Sequence, residues 1–250
     1  MILIKLGGSV ISDKNLPYTF KHRTTKRLIK EIASSVEEDL IVIHGGGSFG
    51  HPGAEKFDLN CKSPKNIDEG TSKVQKDMRI LNTRIIEMMI EEGLWAVSIP
   101  SGIVTRYDDG ELIDMNKDLF YQYLSIGVVP VTFGDVSLDD KRGVTICSGD
   151  DLMLALDEKA DRAIFVSNVD GIYKKGEVVE EFTGRMLPLS NEDIPTKNTS
   201  IDVTGGMNRK VEKMLELSKD CRTFLVNGNE ADRLKRLIKG EHTIYTEVKS

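Results

Sequence analysis

Lys5 lies inside an apolar run, residues 2–6, two positions before Gly7-Gly8-Ser9. A lysine between Ile4 and Leu6 either faces solvent from an edge strand or turns inward to meet an anion. Lys14 follows in the stretch VISDK, and Lys210 stands one turn into a helical segment that opens with Gly205-Gly206. A second glycine run, Gly45-Gly46-Gly47, follows apolar residues 40–43 and continues through Ser48, Phe49 and Gly50 to His51. Glycine lets backbone N–H groups come close to phosphate oxygens, helix N-termini add their dipole, and lysine adds compensating charge. These residue types read together as an extended anion site. His51 is either a surface or capping residue, or a side-chain donor to the same anion. His44, nearer the apolar run, reads as structural, and His22 and His242 carry no context.

Several anion-binding classes are excluded. Gly45, Gly47 and Gly50 satisfy G-x-G-x-x-G, but Pro52 follows at once, and residues 52–70 hold no second apolar strand ending in an acid to bind a ribose. There is no GxxxxGK[ST] loop and no protein-kinase HRD or DFG set. The formal net charge of −6 gives no general electrostatic case for nucleic acid. No apolar run approaches the roughly 20 residues that span a bilayer, and the start, MILIKLGGSV, does not read as a signal peptide. Cys61, Cys147 and Cys221 form no CxxC pair, which speaks against a zinc site or a disulfide framework and suits a reducing cytoplasm.

The elements that must position these residues alternate along the chain. Strands are expected at residues 2–6, 40–43, 96–99, 128–133, 163–167, 223–226 and 243–246. Most are apolar at successive positions, the mark of strands buried on both faces of a parallel sheet. Helical patterns lie between them. Residues 24–38 place Leu28, Ile32 and Val36 on one face, and residues 71–93 place Val74, Met78, Leu81, Ile85 and Met89 on one stripe. Residues 149–160 and 205–220 are two more, both opened by glycine. The alternation implies an α/β sandwich. Asp109-Gly110 signals a small hairpin, and residues 174–200 read as a polar, irregular cover. The glycine turns end strands, so they fall on one carboxyl edge of the sheet, where ligands bind.

At these residues the sequence resembles the amino acid kinase superfamily, over essentially the whole chain. IKLGGSV (4–10), VIHGGGSFG (42–50), SGDDLMLALDEKADRAIFVSNVDGIY (148–173) and DVTGGMNRKVE (202–212) occur in the family's order. GGSVISDK with Lys14 and HGGGSFGHPGAEKF with His51 are similar to the isopentenyl phosphate kinases in particular, and the fosfomycin kinases share much of this. The resemblance implies a three-layer αβα sandwich with a mainly parallel open sheet. It implies one compact, two-lobed domain: residues 1–160 for the phosphoacceptor and residues 161–250 for ATP. It implies a cytoplasmic homodimer that transfers the ATP γ-phosphoryl to isopentenyl phosphate, with Mg²⁺ arriving on ATP and no metal site of its own. A kinase for another small phosphate or phosphonate, and a nucleotide-binding regulatory or storage protein without turnover, are the competing readings.

Residue by residue, the resemblance implies that Lys5, Gly7, Gly8 and Ser9 line the ATP phosphates, with Gly46 bordering them. Gly45, Gly46, Gly50 and His51 would hold the acceptor phosphate, with Lys14 reaching the same groups and Gly149 close by. Asp150 would orient the lysines, a role compatible with capping a helix. Asp170, Gly171, Tyr173, Lys175 and Gly205 would border the nucleotide, with Lys174 a rival to Lys175. Lys210 would reach the transferring phosphoryl. The stripe at Val74 and Met78 would either wall an alkyl pocket or pack in the core, with Leu81 nearer the core.

Overall fold

The structure is a computed structural model. It describes residues 1–13, 16–62, 64, 66–189 and 203–250, with the backbone alone for 203–206. Elements are numbered in chain order. One eight-stranded sheet holds β1 (Ile2–Leu6), β2 (Leu40–His44), β3 (Ala96–Pro100), β6 (Val129–Phe133), β9 (Arg162–Ser167), β12 (Glu181–Thr183), β13 (Arg222–Asn227) and β14 (Tyr245–Lys249). Their order is β12-β14-β13-β9-β1-β2-β6-β3. A four-stranded sheet, β5-β4-β7-β8, holds β4 (Thr105–Asp108), β5 (Glu111–Met115), β7 (Asp135–Asp139) and β8 (Gly143–Cys147), and β10 (Tyr173–Lys174) pairs with β11 (Glu177–Val178). The helices are α1 (Gly8–Ile11), α2 (His22–Ala33), α3 (Gly47–Lys56), α4 (Ile67–Glu91), α5 (Ser101–Val104), α6 (Asp118–Ser125), α7 (Gly149–Ala155), α8 (Val203–Leu217) and α9 (Arg233–Ile238).

Strands apolar at successive positions need cover on both faces, and they have it. Ile2, Ile4 and Leu6 of β1 pack with Leu28 and Ile32 of α2, Leu81 of α4 and Leu234 of α9. Leu3 packs with Phe120 of α6, Leu152 of α7 and Val211 and Met214 of α8. The result is the expected αβα sandwich. Side chains alternate across a strand, so Lys5 shares its face with Leu3 and points toward α7 and α8. In the large sheet β1 runs parallel to β2 and β9, β13 to β9, and β6 to β2 and β3. The carboxyl ends of these strands therefore share one edge, as the glycine turns predict. The only antiparallel pair described in this sheet joins β13 to β14.

Three local differences have physical causes. The last strand is Tyr245–Lys249 rather than 243–246, because Thr246 and Val248 are its buried alternate positions. Residues 47–56, read as a glycine loop, form a helix that contains Pro52. Proline cannot donate to the carbonyl four residues back. That carbonyl, on Ser48, takes the Tyr18 N–H instead, at 3.2 Å. The β7–β8 pair was not anticipated beyond residue 133. The expected hairpin at Asp109-Gly110 forms between β4 and β5, with φ of 50° and 86° at its two turn residues.

Candidate active site

The strand ends are tied to one another before any ligand is considered. The N–H of Gly7 donates to Val166 O at 2.9 Å, that of Gly45 to Leu6 O at 3.0 Å, and that of Gly134 to His44 O at 3.1 Å. These N–H groups hold the edge together. One step later, Ser48 N–H of α3 donates to Ser12 Oγ at 2.9 Å and Phe49 N–H to Gly46 O at 3.0 Å, so the donors left for an anion are the leading N–H groups of α1 and that of Gly47. The two turns also touch. A β-carbon at Gly8 would stand 2.5 Å from Gly47 N, and one at Gly45 would stand 2.8 Å from Gly8 N. Only glycine permits this approach, which brings the two glycine turns side by side.

Beside them is a buried charge pair. Lys5, 7% exposed, donates its ammonium to Asp150 Oδ1. The Phe165 ring lies 5.6 Å from Lys5 Nζ. Asp150 stands in the first turn of α7, which Ser148 caps: its hydroxyl accepts the Asp151 N–H, and the Asp151 side chain reaches back to the Ser148 N–H. A β-carbon at Gly149 would come within 2.9 Å of Lys5 Cε, so glycine at the first helical position gives the lysine its room. Burial pushes the Asp150 pKa up, but the Lys5 and Lys210 charges outweigh it and hold the carboxyl below its usual range. Lys210, on α8, thus reaches Asp150 electrostatically. Sequence reasoning anticipated this convergence of Lys5, Gly149, Asp150 and Lys210. Gly205 lies in the first turn of α8. Lys14 lies outside the described residues, as does the 190–200 portion of the polar cover.

The nucleotide-side candidates form a second group. Asp170 Oδ1 accepts from Asn227 Nδ2 at 2.9 Å and from Arg233, and Tyr173 OH donates to Oδ2 at 3.3 Å. Burial raises the Asp170 pKa, and these donors bring it below the usual range. Gly171 backs onto Thr246, whose Oγ1 would sit 2.4 Å from a β-carbon there. Lys174 ends β10, while Lys175, with φ of 51°, occupies the turn to β11 and is exposed. Ser9 Oγ donates to Asn168 Oδ1 at 3.1 Å, which joins the first glycine turn to the end of β9.

The two histidines of the glycine run separate cleanly. His44 is fully buried, stacked 5.0 Å from Phe133, and accepts from Asn82 Nδ2 at Nε2 while its Nδ1 donates to Gly45 O, each at 3.1 Å. Burial depresses its pKa to about 4. It is a neutral strut, as expected. His51 is exposed, one turn along α3, on the same helix as the glycine run. Met78 of α4 backs that run: a β-carbon at Gly46 or Gly50 would meet its Sδ at 3.2 or 3.0 Å.

Residues overlooked in the sequence are the ones that hold others. Lys21 Nζ donates to Ser9 O at 2.9 Å. Lys213 pairs with Asp151, and Arg233 with Asp170. Lys213 had one available signal, since three residues after Lys210 puts it on the same helix face. Among the described residues, no three His, Cys, Asp or Glu side chains gather as a metal site.

The amino acid kinase family model matches residues 1–227. An isopentenyl phosphate kinase of Methanocaldococcus jannaschii is 35% identical, with 96% of each chain covered. One of Thermoplasma acidophilum is 35% identical, with 94% of each covered. A crystal structure of an isopentenyl phosphate kinase superposes with a TM-score of 0.85 at 26% identity over the whole of both chains. A match that runs from the first strand through the end of β13 places this chain in the amino acid kinase family.

Proposed function

We propose that this protein transfers the γ-phosphoryl of ATP to isopentenyl phosphate, giving isopentenyl diphosphate and ADP. The Lys5–Asp150 pair, with its lysine buried, beside two touching glycine turns carries the reading, in a chain 35% identical to an isopentenyl phosphate kinase across 96% of its length. A phosphate monoester has its second pKa near 6, so at neutral pH the acceptor is largely a dianion and needs no base. The task is to bring two anions together and to stabilise the charge on the moving phosphoryl. Lys5 and Lys210 do this from the α7–α8 side, and Asp150 holds their ammonium groups in place. Lys14 joins them on its motif alone.

Gly45, Gly46, Gly50 and His51 hold the acceptor phosphate in this reading, with Gly149 beside it. Gly7, Gly8, Ser9, Asp170, Gly171, Tyr173, Gly205 and one of Lys174 or Lys175 border the nucleotide. Residues 1–160 then form the acceptor lobe and residues 161–250 the ATP lobe, sharing one sheet. Asp150 and Asp170 are engaged by cations of the protein, so Mg²⁺ is held by the nucleotide's own oxygens. No described helix is long and apolar enough to cross a membrane. Free thiols at Cys61, Cys147 and Cys221 suit a reducing cytoplasm. A homodimer is supported by the edge position of β3, which among the described strands pairs with β6 alone. Trp95, which precedes β3, Ile103 of α5, which follows it, and Ile126, which precedes β6, are 67%, 73% and 71% exposed, apolar side chains that a partner would cover.

Coupled ADP release with isopentenyl phosphate, ATP and Mg²⁺ tests the reaction. Turnover above background is expected. No ADP release, alongside robust turnover of fosfomycin or an amino acid, overturns it. Sedimentation as a monomer at micromolar concentration overturns the dimer alone.

A further inference from the structure

The two acids at the start of α7 face different lysines of different elements. Asp150 takes Lys5 of β1, and Asp151 takes Lys213 of α8. Asp151 is also half of the capping box. Its Oδ2 accepts from the Ser148 N–H at 3.1 Å and from the Ser148 hydroxyl at 2.7 Å, while its Oδ1 takes Lys213. Lys213 Nζ in addition lies 3.5 Å from Ser148 Oγ. One carboxylate therefore fixes both the first turn of α7 and the approach of α8 to it.

Lys210 and Lys213 are three residues apart and share a face of α8. Val211, Met214 and Leu217 anchor the helix in the core, with Met214 four residues after Lys210 and Leu217 four after Lys213, so the lysines rise from the rim of the buried stripe. Apolar attraction is non-directional, so it seats the helix without by itself fixing its exact rotation and register. A charged, hydrogen-bonded contact is directional and removes that freedom. The pair is partly exposed, with 31% and 25% of the two side chains accessible. Exposed pairs of this kind add little to stability, so its value lies in position.

We infer that the Asp151–Lys213 pair, seated on the Ser148 cap, is a positioning clamp that sets Lys210 against the Lys5–Asp150 pair. The inference rests on the phosphoryl-transfer reading above. It makes Asp151 and Lys213 positioning residues, one removed from the reacting atoms. A misplacement of about 1 Å in such a site costs on the order of 10²-fold in rate.

The test uses the full chain, with kcat and KM for isopentenyl phosphate and ATP measured by ADP release. Lys213→Met should lower kcat about 10- to 100-fold and leave both KM values within about threefold, because a clamp acts on the arrangement at reaction rather than on substrate binding. Asp151→Asn keeps an oxygen for the Ser148 cap but loses the charge that holds Lys213, so it should match Lys213→Met. The double variant should be no worse than either single, since both remove one interaction. Lys213→Arg should recover most of kcat. Circular dichroism should show each variant folded, and Asp151→Asn carries the test should the methionine variant fail to fold, a parental kcat in it overturning the clamp.

Parental kcat in Lys213→Met overturns the clamp. So does an impaired Lys213→Met beside a parental Asp151→Asn, which would make Lys213 a direct substrate contact. Lys210→Met separates the two readings. If it is silent while Lys213→Met is unaffected, the clamp alone fails. If Lys210→Met keeps parental kcat, the site reading and the clamp fail together.

Discussion

The carboxyl edge of the sheet is built in two ways within a few residues. On the α7–α8 side it gathers charge: Lys5 with Asp150, Lys213 with Asp151, and Lys210 acting on Asp150. On the α3–α4 side, the groups directly against the second glycine turn are uncharged: neutral His44, its partner Asn82, the Phe133 ring and Met78, with the charged Asp77 and the Arg79–Asp135 pair at other positions of α4 and its neighbour β7. One side can stabilise charge that moves. The other can shape a turn and exclude water. A kinase whose acceptor is a phosphate on an apolar chain needs both, and their nearness lets one glycine edge serve both ends of the reaction.

The comparison breaks most easily at its charged side. Lys5→Met should reduce kcat by roughly 10²-fold or more, the scale expected when one charge stabiliser is removed from a closed site. Circular dichroism should show the variant folded. Near-parental kcat would reduce Lys5 to a structural cation.

The uncharged side is broken by acid. His44 stays neutral in the folded state down to about pH 4, whereas the unfolded imidazole takes its proton below about 6.5. Acid therefore favours the unfolded chain, and stability is lost as pH falls from about 6.5 to about 4. The shift corresponds to about 3 kcal/mol. His44→Gln should flatten the urea-unfolding profile across that window. An unchanged slope would mean that the imidazole is already charged in the fold.

His51 sharpens the boundary between the two sides. A donor to a charged oxygen is worth roughly 1.5–3 kcal/mol, so His51→Ala should cut kcat/KM for the acceptor by about one to two orders of magnitude. ATP affinity should hold. His51→Gln or His51→Asn should recover part of the loss. If all three are equally silent with acceptor binding intact, His51 transfers a proton or carries the phosphoryl group. The smallest effect is expected at Met78. Met78→Ala should improve geranyl phosphate relative to isopentenyl phosphate by about tenfold, the scale of one methylene in an apolar pocket. An unchanged preference in a folded variant would assign the stripe to the core.

Much of this was legible because it is local. Strand β1 lies where its apolar run places it, and Asp109-Gly110 makes its turn. Glycine, lysine and acid types mark the reaction end by chemistry alone. Helix α3 was not legible, because glycine and Pro52 argue against a helix until Tyr18, 34 positions away from Pro52, satisfies the Ser48 carbonyl.

The sequence by itself determined the alternation of buried strands and helices, the glycine turns at their ends, and hence a phosphate-binding edge. It also put Lys5 on one strand face with Leu3, but left open whether that face met solvent or an anion. Tertiary structure decided which charges meet. Asp150 is 145 positions from Lys5, and Asp151 is 62 from Lys213. Local pattern puts Lys213 on the helix face of Lys210 but does not name its partner, and it does not distinguish Asp151 from an ordinary helix cap. Ion pairing depends on distances of a few ångströms between elements far apart in the chain, and only the packing of α8 on α7 fixes them.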